Sequence, residues 1–308
     1  MKRIAFALAV ILLAAFVVPG VGAAPVAPEL LVSVTPPDSA VGPGQLALIF
    51  VGGGYPLQVE GTLDGNPVPF FWNGDGYVGL VAIALEEPPG SHQLTVSAAE
   101  TGGGRAVDFQ TTLTVKEDPY PHEYVNIPGQ LAALLDPALN QAEVERVAES
   151  VAPVSHRLEW EWPFAFPAVA RITSLYGASR SYNSDRLEAR HTGVDFRMPE
   201  GAPVYAAAAG RVVAAEPYDI RGNMITLDHG WGVYTRYAHL SAFKVAVGNE
   251  VEQGQLIGEA GRTGRSTGTH LHWEVVVHGV SVDPLVWMSL SPVYIQPAVD
   301  ERTGQPTS

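Results

Sequence analysis

Turn-forming residues break this chain into short apolar segments almost from end to end, and that rhythm leaves little room for long helices. The chain's 32 glycines and 25 prolines supply most of the breaks. Between them, residues 30–34, 45–51, 77–83, 92–97 and 109–115 alternate or run apolar at strand length. Pro36-Pro37, Gly52-Gly53, Asp64-Gly65, Asp75-Gly76 and Pro88-Pro89-Gly90 punctuate that stretch. About seven short strands at such spacing predict a β-sandwich over residues 29–117.

The same rhythm returns over residues 161–290. Strands are expected at 202–207, 210–216, 224–228, 233–238, 256–258 and 271–277. The chain therefore reads as all-β in two domains. Residues 118–160 connect them and hold one helix from Asn140 to Ser150. Asn140 is the expected N-cap, with Glu143 completing a capping box, and Ala142, Val144, Val147 and Ala148 form its narrow apolar side. The aromatic run of Trp160, Trp162, Phe164 and Phe166 suits either a core at the domain entrance or a substrate-stacking wall.

At the ends, residues 1–23 read as a secretory signal peptide. Lys2 and Arg3 precede an apolar run over 4–18, and Val21-Gly22-Ala23 offers small residues for cleavage. The run is short for a membrane span, so a secreted or extracytoplasmic protein without a stable membrane span is expected. Residues 291–308 read as a polar C-terminal tail. The net charge of −14 makes nucleic acid a poor partner, and a monomer is expected. There is no cysteine, which removes disulfides and thiolate metal ligands, so any metal must be held by nitrogen and oxygen.

Three imidazoles and a carboxylate in the second domain meet that condition. A glycine- and hydroxyl-rich loop over 261–269 runs straight into His270-Leu271-His272, whose histidines lie two apart and share a strand face. Upstream, His191 and Asp195 lie four apart, an even spacing that keeps both on one face of a strand, and a turn at Thr192-Gly193 could adjust their approach. His191, Asp195 and His272 could hold a zinc ion at roughly 2.0–2.2 Å, and such an ion lowers the pKa of a water to about 7. His270 sits better beside that water than on the metal. His239 could reach in from a neighbouring strand, and either could move a proton or bond an oxyanion. Glu274 could support the ligands or face away, and Arg236 and Tyr237 stay equally open. His92, His122, His156 and His278 read as ordinary surface or core residues, and His229 as a turn residue bonding the backbone. The glycines of the 261–269 loop lack a phosphate-loop ending and lead into a strand.

Residues 172–177, His191-Thr-Gly-Val-Asp195-Phe196, 201–206, Asp228-His229-Gly230, Tyr237-Ala-His239-Leu240 and 261–274 occur in the order of a known family. The stretch from about residue 163 to 284 resembles the M23 zinc metallopeptidases, of the LytM or lysostaphin type. The resemblance implies an antiparallel β-sheet with loops walling a groove, one zinc ion on His191, Asp195 and His272, and catalytic roles for His239 and His270. It also implies hydrolysis of peptidoglycan peptides. Relatives that have lost ligands serve as amidase regulators or wall-binding proteins, which is the alternative function. The segment 178–190 says little about specificity. Weaker in detail, the stretches after Leu63 and Gly90 resemble an immunoglobulin-like extracellular module, which would make the N-terminal sandwich of that type.

Overall fold

The computed structural model describes residues 30–290, apart from 54–55, 118, 152–153, 156, 161–162 and 185. The expected signal peptide and C-terminal tail lie outside the described residues, as do His156 and part of the aromatic run.

The first nine strands form two facing sheets. One holds β1 (Leu31–Thr35), β3 (Leu46–Gly52), β7 (Gly76–Ala82) and β6 (Phe70–Trp72), in the order β1-β3-β7-β6. The other holds β2 (Ala40–Val41), β9 (Ala106–Val115), β8 (Gly90–Glu100), β4 (Leu57–Leu63) and β5 (Asn66–Pro67), in the order β2-β9-β8-β4-β5. Ile49, Val51 and Val81 meet Leu94, Val96 and Leu113 between them. Strand β3 is apolar along its whole length because both of its faces are covered. Ala47, Ile49 and Val51 face the sandwich core, whereas Leu46 and Leu48 face the other way, into a cluster that continues through Trp160, Phe164 and Trp231. Phe71 stacks on Trp231 at 5.4 Å. The outer face of the sandwich is thus the floor on which the second half of the chain packs.

The connector departs from expectation. Strand β10 (His122–Val125) opens it, a 3₁₀ helix (Gly129–Leu135) follows, and α1 runs over Pro137–Glu149. The helix starts three residues before Asn140, because Asp136 caps it by accepting from the Ala138 N–H and Pro137 occupies the first turn. Glu143 is no capping-box partner; it is buried with Val147, while Val144 is 44% exposed. Strand β10 pairs in parallel with β12 (Ser179–Tyr182), which pairs with β13 (Leu187–Arg190). The connector is therefore woven into the second half.

The large sheet begins with β11 (Arg171–Ser174) and β14 (Val194–Arg197). It continues through β15 (Pro203–Tyr205), β16 (Gly210–Tyr218), β17 (Gly222–Asp228), β18 (Val233–Phe243) and β19 (Glu250–Val251). Strands β20 (Leu256–Ala260), β21 (His270–Val277) and β22 (Val280–Val282) and helix α2 (Pro284–Ser289) close the described chain. The spatial order is β11-β14-β21-β18-β17-β16-β19, antiparallel at every ladder from β11 to β19, with β20 bridging β15 and β18. Strand β21 sits between β14 and β18. Its Leu271, Trp273 and Val275 fill the core, and the period of two leaves His270, His272 and Glu274 together on the other face. Trp160 and Phe164 are core, and Phe166 is half-exposed, edge-on to Phe196 and Trp273. Among the described residues, no helix is long and apolar enough to cross a membrane.

Candidate metal centre

Strand register sets the frame of the site. Asp195 on β14 lies directly opposite His272 on β21, and Ala238 on β18 lies opposite His272 from the other side. His191 does not share a strand with Asp195, as the spacing suggested. It ends the link from β13, and the chain turns at Thr192-Gly193 before β14 starts. Only glycine fits at 193, since a Cβ there would stand 2.3 Å from the Trp273 carbonyl oxygen and 2.9 Å from the His272 ring. That close approach carries His191 over the sheet to His272.

Each ring is then fixed by its outward nitrogen. His191 donates from Nδ1 to the Leu175 carbonyl at 2.7 Å. His272 donates from Nε2 to the Glu274 carboxylate at 2.9 Å. With both outward nitrogens protonated, His191 Nε2, His272 Nδ1 and Asp195 Oδ1 face one another as three lone-pair donors. They stand 2.9–3.0 Å apart, and the three side chains form the metal-competent cluster among the described residues. Three acceptors at that spacing require a positive charge among them. Burial opposes charge on Asp195, yet His191 and His272 hold its carboxyl well below the usual range. Burial also opposes charge on His272, but Asp195 and Glu274 prevail and raise its pKa. Burial dominates at His191 and lowers its pKa. The set of two imidazoles and one carboxylate fits zinc.

The two remaining histidines stand beside these donors, with their rings 4.6 Å apart. His239 bonds the Thr263 carbonyl through Nδ1 at 2.8 Å, and His270 bonds the Gly268 carbonyl through Nδ1 at 2.8 Å. Both therefore keep Nε2 free as a proton acceptor. His270 Nε2 lies 3.7 Å from Asp195 Oδ1. His239 sits at φ 61°, in the left-handed region that non-glycine residues rarely occupy, where register shifts interrupt the β17–β18 and β18–β20 ladders. Burial, with His270 and His272 alongside, pushes its pKa well down.

Three supporting residues were not given a role at this site from sequence. Arg180, in the unassigned segment 178–190, donates to Asp195 Oδ2 at 2.8 Å and to Glu123 on the connector at 2.9 Å. Glu143, on α1, accepts from the backbone N–H groups of Ile220 and Arg221 at 2.6 and 2.9 Å. Arg236, left open in the sequence, lies opposite Glu274 in register and donates to it at 3.1 Å. No local pattern marks the first two, because Glu143 meets Ile220 and Arg180 meets Glu123 across more than fifty residues. His229 is buried between the Ala209 carbonyl and the Thr235 hydroxyl. The cluster opens into a groove of about 780 Å³, walled also by Val125 and Asn140 of the connector and Leu85 and Glu86 of the sandwich.

A model of peptidase family M23 matches residues 189–284, which hold all five histidine and aspartate candidates. That match assigns this stretch, and not the whole chain, to peptidase family M23. The chain is 42% identical over 115 residues to the peptidoglycan DD-endopeptidase ShyA of Vibrio cholerae, covering 37% of this chain and 27% of that protein. It is 47% identical over 95 residues to the DD-carboxypeptidase/endopeptidase Mpg of Neisseria meningitidis, covering 31% of this chain and 22% of that one. The chain thus spans about a quarter of the length of these curated relatives. The likeness to the crystal structure of a Pseudomonas aeruginosa protein assigned to peptidase M23 reaches beyond the M23 stretch. At 25% identity and a TM-score of 0.59, it covers 80% of this chain and 94% of that one.

Proposed function

We propose that the protein is a zinc metalloendopeptidase that hydrolyses peptide bonds in the cross-links or stem peptides of peptidoglycan. The observation that carries this reading is the convergence of three lone-pair donors, His191 Nε2, Asp195 Oδ1 and His272 Nδ1, with two further imidazoles beside them. A zinc ion held by these donors supplies a nucleophilic water at neutral pH and polarises the scissile carbonyl. His239 and His270 each keep an Nε2 lone pair for the proton that the attacking water loses. One of them takes that proton and returns it to the leaving amine as the C–N bond breaks. Burial keeps the His239 ring neutral, with its Nε2 lone pair unprotonated.

The names of the relatives support peptidoglycan as the substrate. An extracytoplasmic site of action follows from that substrate and from the signal-like residues 1–23. We further read residues 29–117 as an immunoglobulin-like sandwich, since its sheets follow the ABED and GFC strand orders of that fold. Residues 118–160 remain the connector and 161–290 the peptidase part.

Incubation of the protein with purified peptidoglycan, followed by mass spectrometry of released fragments, tests the reading. New amine ends at a defined peptide bond are expected, lost with a zinc chelator. Wall binding without product, by a zinc-loaded protein, would favour a regulatory or wall-binding role instead.

A further inference from the structure

We infer that Glu123 of the connector is a positioning residue of the metal centre, acting through Arg180 on Asp195. This rests on the assignment of Asp195 as a metal ligand. Parallel pairing of β10 with β12 sets Glu123 directly opposite Arg180. The Arg180 Nε–H donates to Glu123 Oε2 at 2.9 Å, and Nη2 donates to Asp195 Oδ2 at 2.8 Å. Ser174 closes the ring. It donates to Glu123 at 2.9 Å and accepts from Arg180 Nη2 at 2.7 Å.

The chemistry follows from the two faces of the Asp195 carboxylate. Oδ1 faces His191 and His272, and Oδ2 is held by Arg180. Anchoring Oδ2 stops the carboxylate from rotating, so one oxygen is always presented inward. Arg180 can hold that position only while its own Nε is engaged elsewhere. The side chain is 15% exposed, so water offers little replacement for the Glu123 contact. Without Glu123, the planar guanidinium is free to take Asp195 with two parallel bonds, which draws the carboxylate away from the donor cluster. The connector therefore braces the metal centre, and its first strand is part of the machinery that tunes ligand geometry.

The test measures metal binding on the full chain by competition with a chelating dye, together with the visible spectrum of the cobalt(II)-substituted protein. Glu123→Ala is expected to weaken zinc binding roughly tenfold and to shift the cobalt bands. Glu123→Gln, which preserves side-chain size, is expected to show a smaller loss in the same direction and carries the test if the alanine variant does not fold. Tyr124→Ala, on the exposed side of the same strand, should change neither readout. Unaltered zinc affinity and an unaltered cobalt spectrum in both Glu123 variants would overturn the inference. So would a rise in hydrolysis at unchanged zinc affinity, which would mark β10 as a cover over the groove. Because the primary readout is metal binding, a failure of the proposed peptidase activity would be seen separately.

Discussion

Glu274 accepts the Nε2–H of His272 at 2.9 Å from a side chain only 1% exposed, directly opposite Arg236 on the neighbouring strand. Burial opposes its charge, but Arg221, His272 and Arg236 hold its carboxyl well below the usual range. Glu274 thus fixes the tautomer that turns His272 Nδ1 toward Asp195 and His191. Glu274→Gln should lower zinc affinity by about 10- to 100-fold, measurable by dye competition. Glu274→Ala should also cost roughly 3–5 kcal/mol of stability, because it strands a buried guanidinium. Wild-type zinc affinity in the glutamine variant would contradict this role.

The donors and the proton carriers should separate experimentally. His272→Ala removes a donor and should abolish both bound zinc and hydrolysis. His270→Ala should keep zinc, since its Nε2 stands outside the three-donor set, and should lose about 100- to 10,000-fold in rate. Zinc content by elemental analysis beside fragment release distinguishes the two. Hydrolysis by a metal-free His272→Ala protein would be incompatible with the mechanism.

Acid should destabilise the fold through His229. Its ring is wholly buried, and burial pushes its pKa down to about 4 from an ordinary 6.5. Below about 6.5 the unfolded chain takes a proton that the folded chain refuses, so the stability is present above that value and lost as pH falls toward 4. The full effect is on the order of 3 kcal/mol. Urea unfolding at about pH 7 and about pH 4.5 should show a drop at least that large, and His229→Asn should shrink it by about 3 kcal/mol. An equal drop in the variant would assign the effect elsewhere.

Glu143 ties α1 to the strand that bears His239. It accepts from Ile220 and Arg221, and the Arg221 carbonyl accepts from the His239 N–H at 2.9 Å. Glu143→Ala should cost about 3 kcal/mol by the loss of charge-assisted bonds. It should lower the rate of hydrolysis more than zinc affinity, since His239 is outside the donor set. A proportional loss of zinc would argue against this path.

How much of this was legible follows from how local each signal is. The strands around His272 and His239 show in the sequence because turn residues bound them and alternation sets their faces. The five site residues were named because their spacings recur in order. The start of α1 was misplaced because the Asn140/Glu143 spacing mimics a capping box, whereas Asp136 before Pro137 is the working cap. For His191 and Asp195 the sequence offered a shared strand face or a turn at Thr192-Gly193, and the Gly193 close approach selects the turn. Arg180, Glu143 and Glu123 carry no local signal, because their partners come from distant strands. Strand β3 reads as continuous apolar text, which conceals that its two faces serve two different cores.

The central claim is that one zinc ion, held by His191, Asp195 and His272, enables peptide-bond hydrolysis. The most direct measurement titrates zinc into the metal-free full chain and follows new amine ends released from purified peptidoglycan. The account expects release to rise in proportion to added zinc and to level off at about one equivalent. Release that is independent of zinc, or no release from a protein shown to hold one equivalent, would contradict it.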